Sequence, residues 1–327
     1  MAKNWRALAA HPELVGHPDW AKELAEAGQY DKLLALNDGL INCVDVVKIL
    51  LKRAVEIRTA LAENPSLLKN PVLAQKLARD KSPTIVRAIA RRADVTGDLA
   101  TILTKDSRSE IRSALASNPA ISRFNGQVRL LANDDDLDVR RHLARNPAIV
   151  RFSDIVKEFL SSDDVGLRLA LGANLEIGKM RSVVRQLAAD ESVVVRATLA
   201  KNSALSEFPK LVEKLSRDVE KVRSALAQNL AALSTLPVSE SNFLKEDVAA
   251  REFIALRARA KNPPGSFDSA RRWYPDQYFS CCSNVRSPSR AWPFSELTHA
   301  RTARHVAARF GVDESAVRKR ARQLDKS

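Results

Sequence analysis

Apolar residues in the first 236 positions come in short bursts with helical spacing, and strand-like alternation persists nowhere. In Thr84–Arg92, Val86, Ile89 and Ala90 stand at i, i+3 and i+4, one face of a helix. A second kind of burst pairs two apolar residues and adds others a turn later: Val72, Leu73 and Leu77; Ile155, Val156, Phe159 and Leu160; Val183, Val184 and Leu187; Leu211, Val212 and Leu215. The two kinds alternate. A helix this short is unstable alone. The pattern therefore predicts pairs of short helices, each stabilised by burying its apolar stripe against its neighbours.

Polar landmarks recur with the bursts. The stretch 134–147, DDDLDVRRHLARNP, has close copies at 106–119 and 190–203. In each, an Asp stands six residues before an Arg and an Asn six residues after it: Asp106, Arg112, Asn118; Asp134, Arg140, Asn146; Asp190, Arg196, Asn202. Looser copies carry Arg58 with Asn64, Arg168 with Asn174 and Arg223 with Asn229. Arg87 joins the series with Ala93 where its Asn should be. The seven arginines are 29, 25, 28, 28, 28 and 27 residues apart, which is the signature of a repeat architecture. The Asn-Pro that closes several copies predicts a helix stop, with Asn in the left-handed conformation and Pro unable to continue the helix.

The recurrent Asp is placed to cap a helix N-terminus. The Arg has two readings. In one, Arg112, Arg140 and Arg196 reach Asp106, Asp134 and Asp190 of their own or an adjacent copy, and forked bonds fix the register. In the other, the arginines line a groove and bind phosphates. The first is preferred here, because a side chain repeated in every copy is most simply a stacking device.

Residues 1–43 read as a helical cap. Ala7-Leu8-Ala9 with His11-Pro12 echoes the later motif, and Trp5 and Trp20 are placed to close the end of the stack. The array occupies 44–262, ending in a short copy with Leu256, Arg257 and Asn262. Pro263-Pro264-Gly265-Ser266 marks a boundary. Residues 263–297 are rich in Pro and aromatics and predict a linker or cap. Aromatics among Arg271, Arg272, Arg286 and Arg290 are also of the type that stacks on bases. Residues 298–327 form a last, basic segment.

The Asp-x5-Arg pairs and two-helix units resemble HEAT-type repeats. The Val-Arg-x-x-Leu-Ala-x-Asn-Pro core is also similar to the leucine-rich-repeat-variant family of bacterial proteins, over roughly 44–236. The resemblance implies an all-α, right-handed α-solenoid of seven or eight two-helix repeats with a small C-terminal helical appendage, used for binding. Proteins of the variant family can carry an N-terminal cysteine cluster for an iron–sulfur centre. Cys43 stands alone, so that cofactor is not carried over.

Composition agrees with helices packed at small residues: apolar content is 45%, aromatics 5% and glycine only 10 residues. Three cysteines make no disulfide framework. The N-terminus has no apolar signal-peptide core and no run is long enough to span a bilayer, so a cytoplasmic protein is expected. Net charge is +14 and uneven. Residues 257–327 hold 15 Lys+Arg against 6 Asp+Glu, a net of +9. The remaining +5, over 256 residues, reads as a solvated surface, whereas the basic tail points to a polyanion, most often nucleic acid.

The tail also carries a pattern. His305–Leu324, HVAARFGVDESAVRKRARQL, resembles the bacterial helix-turn-helix, with a turn at Gly311-Val312, Asp313 as N-cap and Val317 inside the second helix. By position the resemblance places Glu314, Ser315, Arg318, Lys319 and Arg322 towards DNA, Arg304 and Arg309 on phosphates, and Ala308, Val312 and Val317 in the core. Glu314 is awkward there because it repels phosphate. The competing reading is an amphipathic hairpin docked on the repeats.

Cys281 and Cys282 with His299 and His305 invite a zinc site, but adjacent cysteines chelate one metal poorly and no Cys-x-x-Cys is present. No metal, cofactor or catalytic constellation is predicted: there is no Gly-rich phosphate loop, HExxH or GxSxG. The expected function is a non-catalytic DNA-binding or regulatory protein with a protein partner on the repeat groove. The alternatives are a pure interaction scaffold or, remotely, a HEAT-like DNA glycosylase using Asp268 or Asp276 near Trp273.

Overall fold

The computed structural model describes residues 5–238, 241, 244–246, 248, 304, 307, 308 and 311–324. The protein is all-α, of the α-solenoid repeat class, with about eight two-helix units and no strand among the described residues. It divides into two compact units, Met1–Val183 and Val184–Ser327. No described helix is long and apolar enough to cross a membrane.

In the first unit each copy opens with one helix: Trp5–Ala10, Asp31–Leu36, Val55–Glu63, Pro83–Ala90, Ser109–Ala116, Leu137–Arg145 and Val165–Gly172 for copies one to seven. Each first helix packs on that of the next copy. Fully buried alanines such as Ala62, Ala90, Ala116 and Ala144 let these backbones approach closely. Second helices, such as Pro71–Leu77, Gly97–Thr104, Asn125–Ala132 and Ser153–Leu160, bury most of the paired apolar residues, among them Leu73, Leu77, Ile155, Val156 and Phe159, whereas Val72, expected beside Leu73, is exposed. The second unit repeats the scheme with Val193–Lys201, Pro209–Ser216 and Glu220–Leu226.

The structure adds a third piece to most copies, a 3₁₀ turn between the helices: Leu67–Lys69, Pro119–Arg123, Pro147–Arg151, Ile177–Lys179 and, in the second unit, Ser203–Glu207. This corrects the reading of Asn as a left-handed cap. Asn118 and Asn146 are extended, at φ −80°, ψ 119° and φ −64°, ψ 124°, and no described residue other than glycine has positive φ. The following Pro excludes the helical region for the residue before it and starts the turn with its own fixed φ.

That geometry turns the Asn side chain into a clamp between copies. Asn146 Oδ1 accepts from Ala148 N at 3.0 Å, and its Nδ2 donates to Ala116 O at 2.7 Å and Asn118 O at 3.0 Å in the preceding copy. Asn37, Asn118, Asn174 and Asn229 each donate to two carbonyls of the copy before, and Asn64 donates to Ala35 O. All six are buried. Copy four has no Asn, and the place is held by Arg92 rather than Ala93. Arg92 Nη1 donates to Ala62 O and Asn64 O, both at 2.9 Å, the same two carbonyls an Asn would take. The register correction runs through the copy: Val86, fully buried, stands where Arg58 and Arg112 stand in theirs, and Arg87 is one position later.

The second device is an ion pair across most of the interfaces. Arg112 forks Asp134 of the next copy through Nε at 2.6 Å and Nη2 at 2.8 Å, while Nη1 donates to Asp106 O of its own copy at 2.8 Å. Arg58 does the same with Asp80, and Arg196 with Asp218, always 22 residues ahead. The carboxylate also accepts an amide two residues on, as Asp134 does from Asp136 N, in a turn that precedes the helix cap. Between copies two and three the pair is reversed: Asp31 sits on the helix and Arg53 Nε lies 3.0 Å from it, again 22 residues ahead.

Arg140, expected at a rung, has none. The residue 22 ahead is Ser162, and Arg140 Nε is buried without a hydrogen-bond partner. The next residue takes over, Arg141 reaching Asp164 at 2.8 Å. Gly166 leaves it room, because a Cβ there would lie 2.8 Å from the Arg141 guanidinium carbon. Copy four compensates alike, with Arg87 on Glu110 at 3.2 Å. Supplying the missing carboxylate should therefore help: Ser162→Asp is expected to raise stability by about 1 kcal/mol by satisfying the Arg140 guanidinium. Thermal melting checks it, and an unchanged or lower Tm would count against the vacancy.

Candidate functional site

The basic tail is built around a glycine. Gly311, at φ +61°, follows Ala307 and Ala308. Gly311 N donates to Ala308 O at 3.3 Å, and Val312 N to Ala307 O at 3.0 Å. This pair of bonds is a Schellman closure, which needs a left-handed residue and so favours glycine. Asp313 then opens the helix Glu314–Leu324: its Oδ1 accepts from Ser315 N at 2.7 Å and from the Ser315 hydroxyl, and these bonds hold its carboxyl below the usual range. Val317 and Ala321 are buried. Ala308, expected in the core, is exposed, and Ala307 is buried in its stead.

Glu314 does not stand bare. Arg318 Nε and Nη2 donate to its Oε1 at 3.0 and 2.8 Å, and Arg304 Nε lies 3.4 Å from Oε2. The Arg318 contact, then that of Arg304, keeps the Glu314 carboxyl ionised to below its ordinary pKa. Arg304, expected on a phosphate, and Arg318, expected to face DNA, are thus turned onto an acid of their own segment. Lys319 and Arg322 are exposed, and neither has a partner among the described residues; Ser315 is exposed and tied to Asp313. Arg309, Cys281, Cys282, His299 and His305 lie outside the described residues, as do Asp268, Trp273, Asp276 and the aromatic stretch.

The first unit holds a different kind of concavity. Ser113 and Ala114 of Ser109–Ala116 and its C-cap Ser117 are short and form the floor of a depression, while Arg87 and Arg91 flank them on one side and His142 on the other. The result is an open groove of about 540 Å³. His142 Nδ1 is 2.6 Å from Asp138 O, which leaves Nε2 as its unengaged nitrogen. The walls have opposite character, cationic at Arg91 and anionic at Asp136 and Asp138. Nothing in the repeat motif announces this groove. It arises where one copy carries Ser and Ala at face positions that its neighbours fill with Arg and His.

Of the residues singled out as a structural ladder, Arg112 with Asp134 and Arg196 with Asp218 form forks, Asp106 is forked by Arg108 at 2.8 and 2.7 Å, and Arg140 stands apart. Asp190 accepts from Ser192 N at 2.9 Å. With their guanidinium groups already bonded, Arg58, Arg112 and Arg196 are committed to register. Among the described residues no cluster of three His, Cys, Asp or Glu side chains is placed to hold a metal, and Cys43 is a half-buried free thiol. No protein-family model matches the chain, and no curated protein matches it.

Proposed function

We propose that this is a non-catalytic, DNA-binding protein of the HEAT-like or leucine-rich-repeat-variant kind, docking duplex DNA through its C-terminal helix while the repeats offer the Ser113–Ser117 groove to a protein partner. The observation that carries it is the state of Lys319 and Arg322: exposed, without partners among the described residues, on a helix introduced by a glycine turn, in a segment of net charge +9. Glu314, which would repel phosphate, is covered by Arg318 and Arg304. The second reading, a scaffold whose tail is only a cap, expects these bases to pair with acids of the repeats. Arg318 instead pairs within its own helix.

Each phosphate contact contributes about 0.9 to the slope of log K against log salt. Lys319→Ala/Arg322→Ala in the full chain is therefore expected to flatten that slope by roughly two units and to weaken binding at low salt by at least tenfold. Helical content and melting should not move. Fluorescence anisotropy with labelled duplex DNA reads it. A variant that binds as the parent does would refute the proposal, and one that unfolds the repeats would favour the cap.

A further inference from the structure

The 3₁₀ turns of adjacent copies pack on one another, so the ends of the first helices and the turns that follow form one edge of the first unit. That edge is basic. Five residues after the clamp Asn stand Lys69, Arg123, Arg151 and Lys179, and just before the clamp position stand Arg91 and Arg145. All six are exposed. Arg123 donates only to the Ala93 carbonyl, and Lys179 is paired with Glu176. The side chains of Lys69, Arg91, Arg145 and Arg151 have no hydrogen-bond or ion-pair partner among the described residues. The opposite edge, where the first helices begin, carries Asp80, Asp106, Asp134 and Asp164.

Folding does not account for all of these cations. Arg91 and Arg145 end first helices, where a helix dipole favours a positive charge. Arg151 is different. It lies two residues before the eight-residue helix Ser153–Leu160, whose dipole disfavours a cation at that end, and no bond within the described residues offsets this. A cation placed against local stability points to a use outside the fold.

We propose that this edge is a second nucleic-acid contact, a track for the phosphate backbone along copies three to seven. Packed helices lie about 8–10 Å apart, so neighbouring cations fall within about one Debye length at physiological salt and act as one field. A strand offers a phosphate about every 3.4 Å of duplex axis, so each cation meets one at any register and the contact is independent of sequence. One such cation in each of copies three, four, five and seven, and two in copy six, makes a line of positive charge that outnumbers Glu63, Asp94 and Glu176 on the same edge and suits a linear polymer of even charge. It does not match a membrane, which presents a plane of charge, or an acidic protein, whose carboxylates are irregularly placed. The inference does not depend on the C-terminal reading, since its residues lie in the other unit.

The test uses the full chain with Lys69→Gln/Arg145→Gln/Arg151→Gln, beside the tail variant Lys319→Ala/Arg322→Ala. The edge variant is expected to flatten the salt slope of duplex binding by about two to three units and weaken binding more than tenfold at low salt. Because the three side chains are exposed and unpaired, its circular dichroism and Tm should equal the parent's. Lys69→Arg/Arg145→Lys/Arg151→Lys, which keeps the charges, should keep the slope. An edge variant that binds with the parent's affinity and slope overturns the inference, whatever the tail variant does. Loss in the edge variant alone upholds the edge and removes the tail reading. Displacement of the DNA by polyglutamate as readily as by unlabelled duplex, at matched charge, would assign the edge to an acidic protein and overturn the nucleic-acid track.

Discussion

Asn146→Ala is expected to destabilise the protein by about 3–5 kcal/mol, the cost of several buried polar groups losing partners at once. Asn146 is 3% exposed and makes three bonds: two donated to Ala116 O and Asn118 O, one accepted from Ala148 N. Alanine removes all three and leaves no opening through which water replaces them. The damage also sits on an interface, so the first helix Leu137–Arg145 loses its hold on the copy before it. Asn133→Ala is the control. That side chain is exposed and bonds only Arg129 O, four residues back, and its loss is expected to cost under about 0.5 kcal/mol. Urea denaturation followed by far-ultraviolet circular dichroism compares them. Equal midpoints for the two variants would show that the clamp contributes nothing beyond an ordinary surface amide.

Arg112→Ala should cost about 2–3 kcal/mol, while Arg140→Ala at the equivalent position should change stability by under about 0.5 kcal/mol or raise it. Arg112 and Asp134 are largely buried, at 17% and 8% side-chain exposure. Removing the Arg strands a carboxylate that keeps only the Asp136 amide. Arg140 has no carboxylate to strand and a buried Nε with no acceptor, so its removal relieves as much as it loses. The pair also has a pH signature. Burial pushes the Asp134 pKa up, but the Arg112 fork and the Asp136 amide outweigh it and hold the carboxyl below its usual value. The folded pKa is thus depressed. Its stabilisation is complete above the unfolded value of about 3.9 and is lost as pH falls through the folded one. The gap between parent and Arg112→Ala should be constant above about pH 5 and shrink below about pH 4. A gap that persists undiminished in acid would exclude the ion pair as its source.

The two-helix repeat was legible because two signals of different origin share a period: apolar bursts set by packing, and Asp, Arg and Asn set by the interfaces. What escaped was substitution within that frame. Arg87 passes for a rung because it is basic and apolar residues flank it, yet the buried position belongs to Val86. Arg92 hides as a surface cation although it performs the work of an Asn. The Asp31–Arg53 rung is invisible to a search for Asp before Arg because its signs are exchanged. The common signal is a separation of 22 residues between opposite charges. In the tail the glycine turn was plain from the sequence, whereas burial of Ala307 in place of Ala308 turns on a single helical step. The groove over Ser113 and Ser117 was not legible at all. A depression is set by what neighbouring copies carry, and a repeat motif describes only what they share.

The Asn clamp faces one way. Its amide group serves carbonyls 28 and 30 residues upstream, and its carbonyl serves its own turn. A gene segment duplicated in frame with that spacing therefore arrives with its own fastening and presents fresh carbonyls to whatever follows it. An insertion of 28 residues inside the first unit adds a rung and leaves no buried amide without a mate. An insertion of half a copy instead carries the next Asn away from the carbonyls it must reach. Chains of this design can change length by unequal crossing-over, provided that they do so one whole copy at a time.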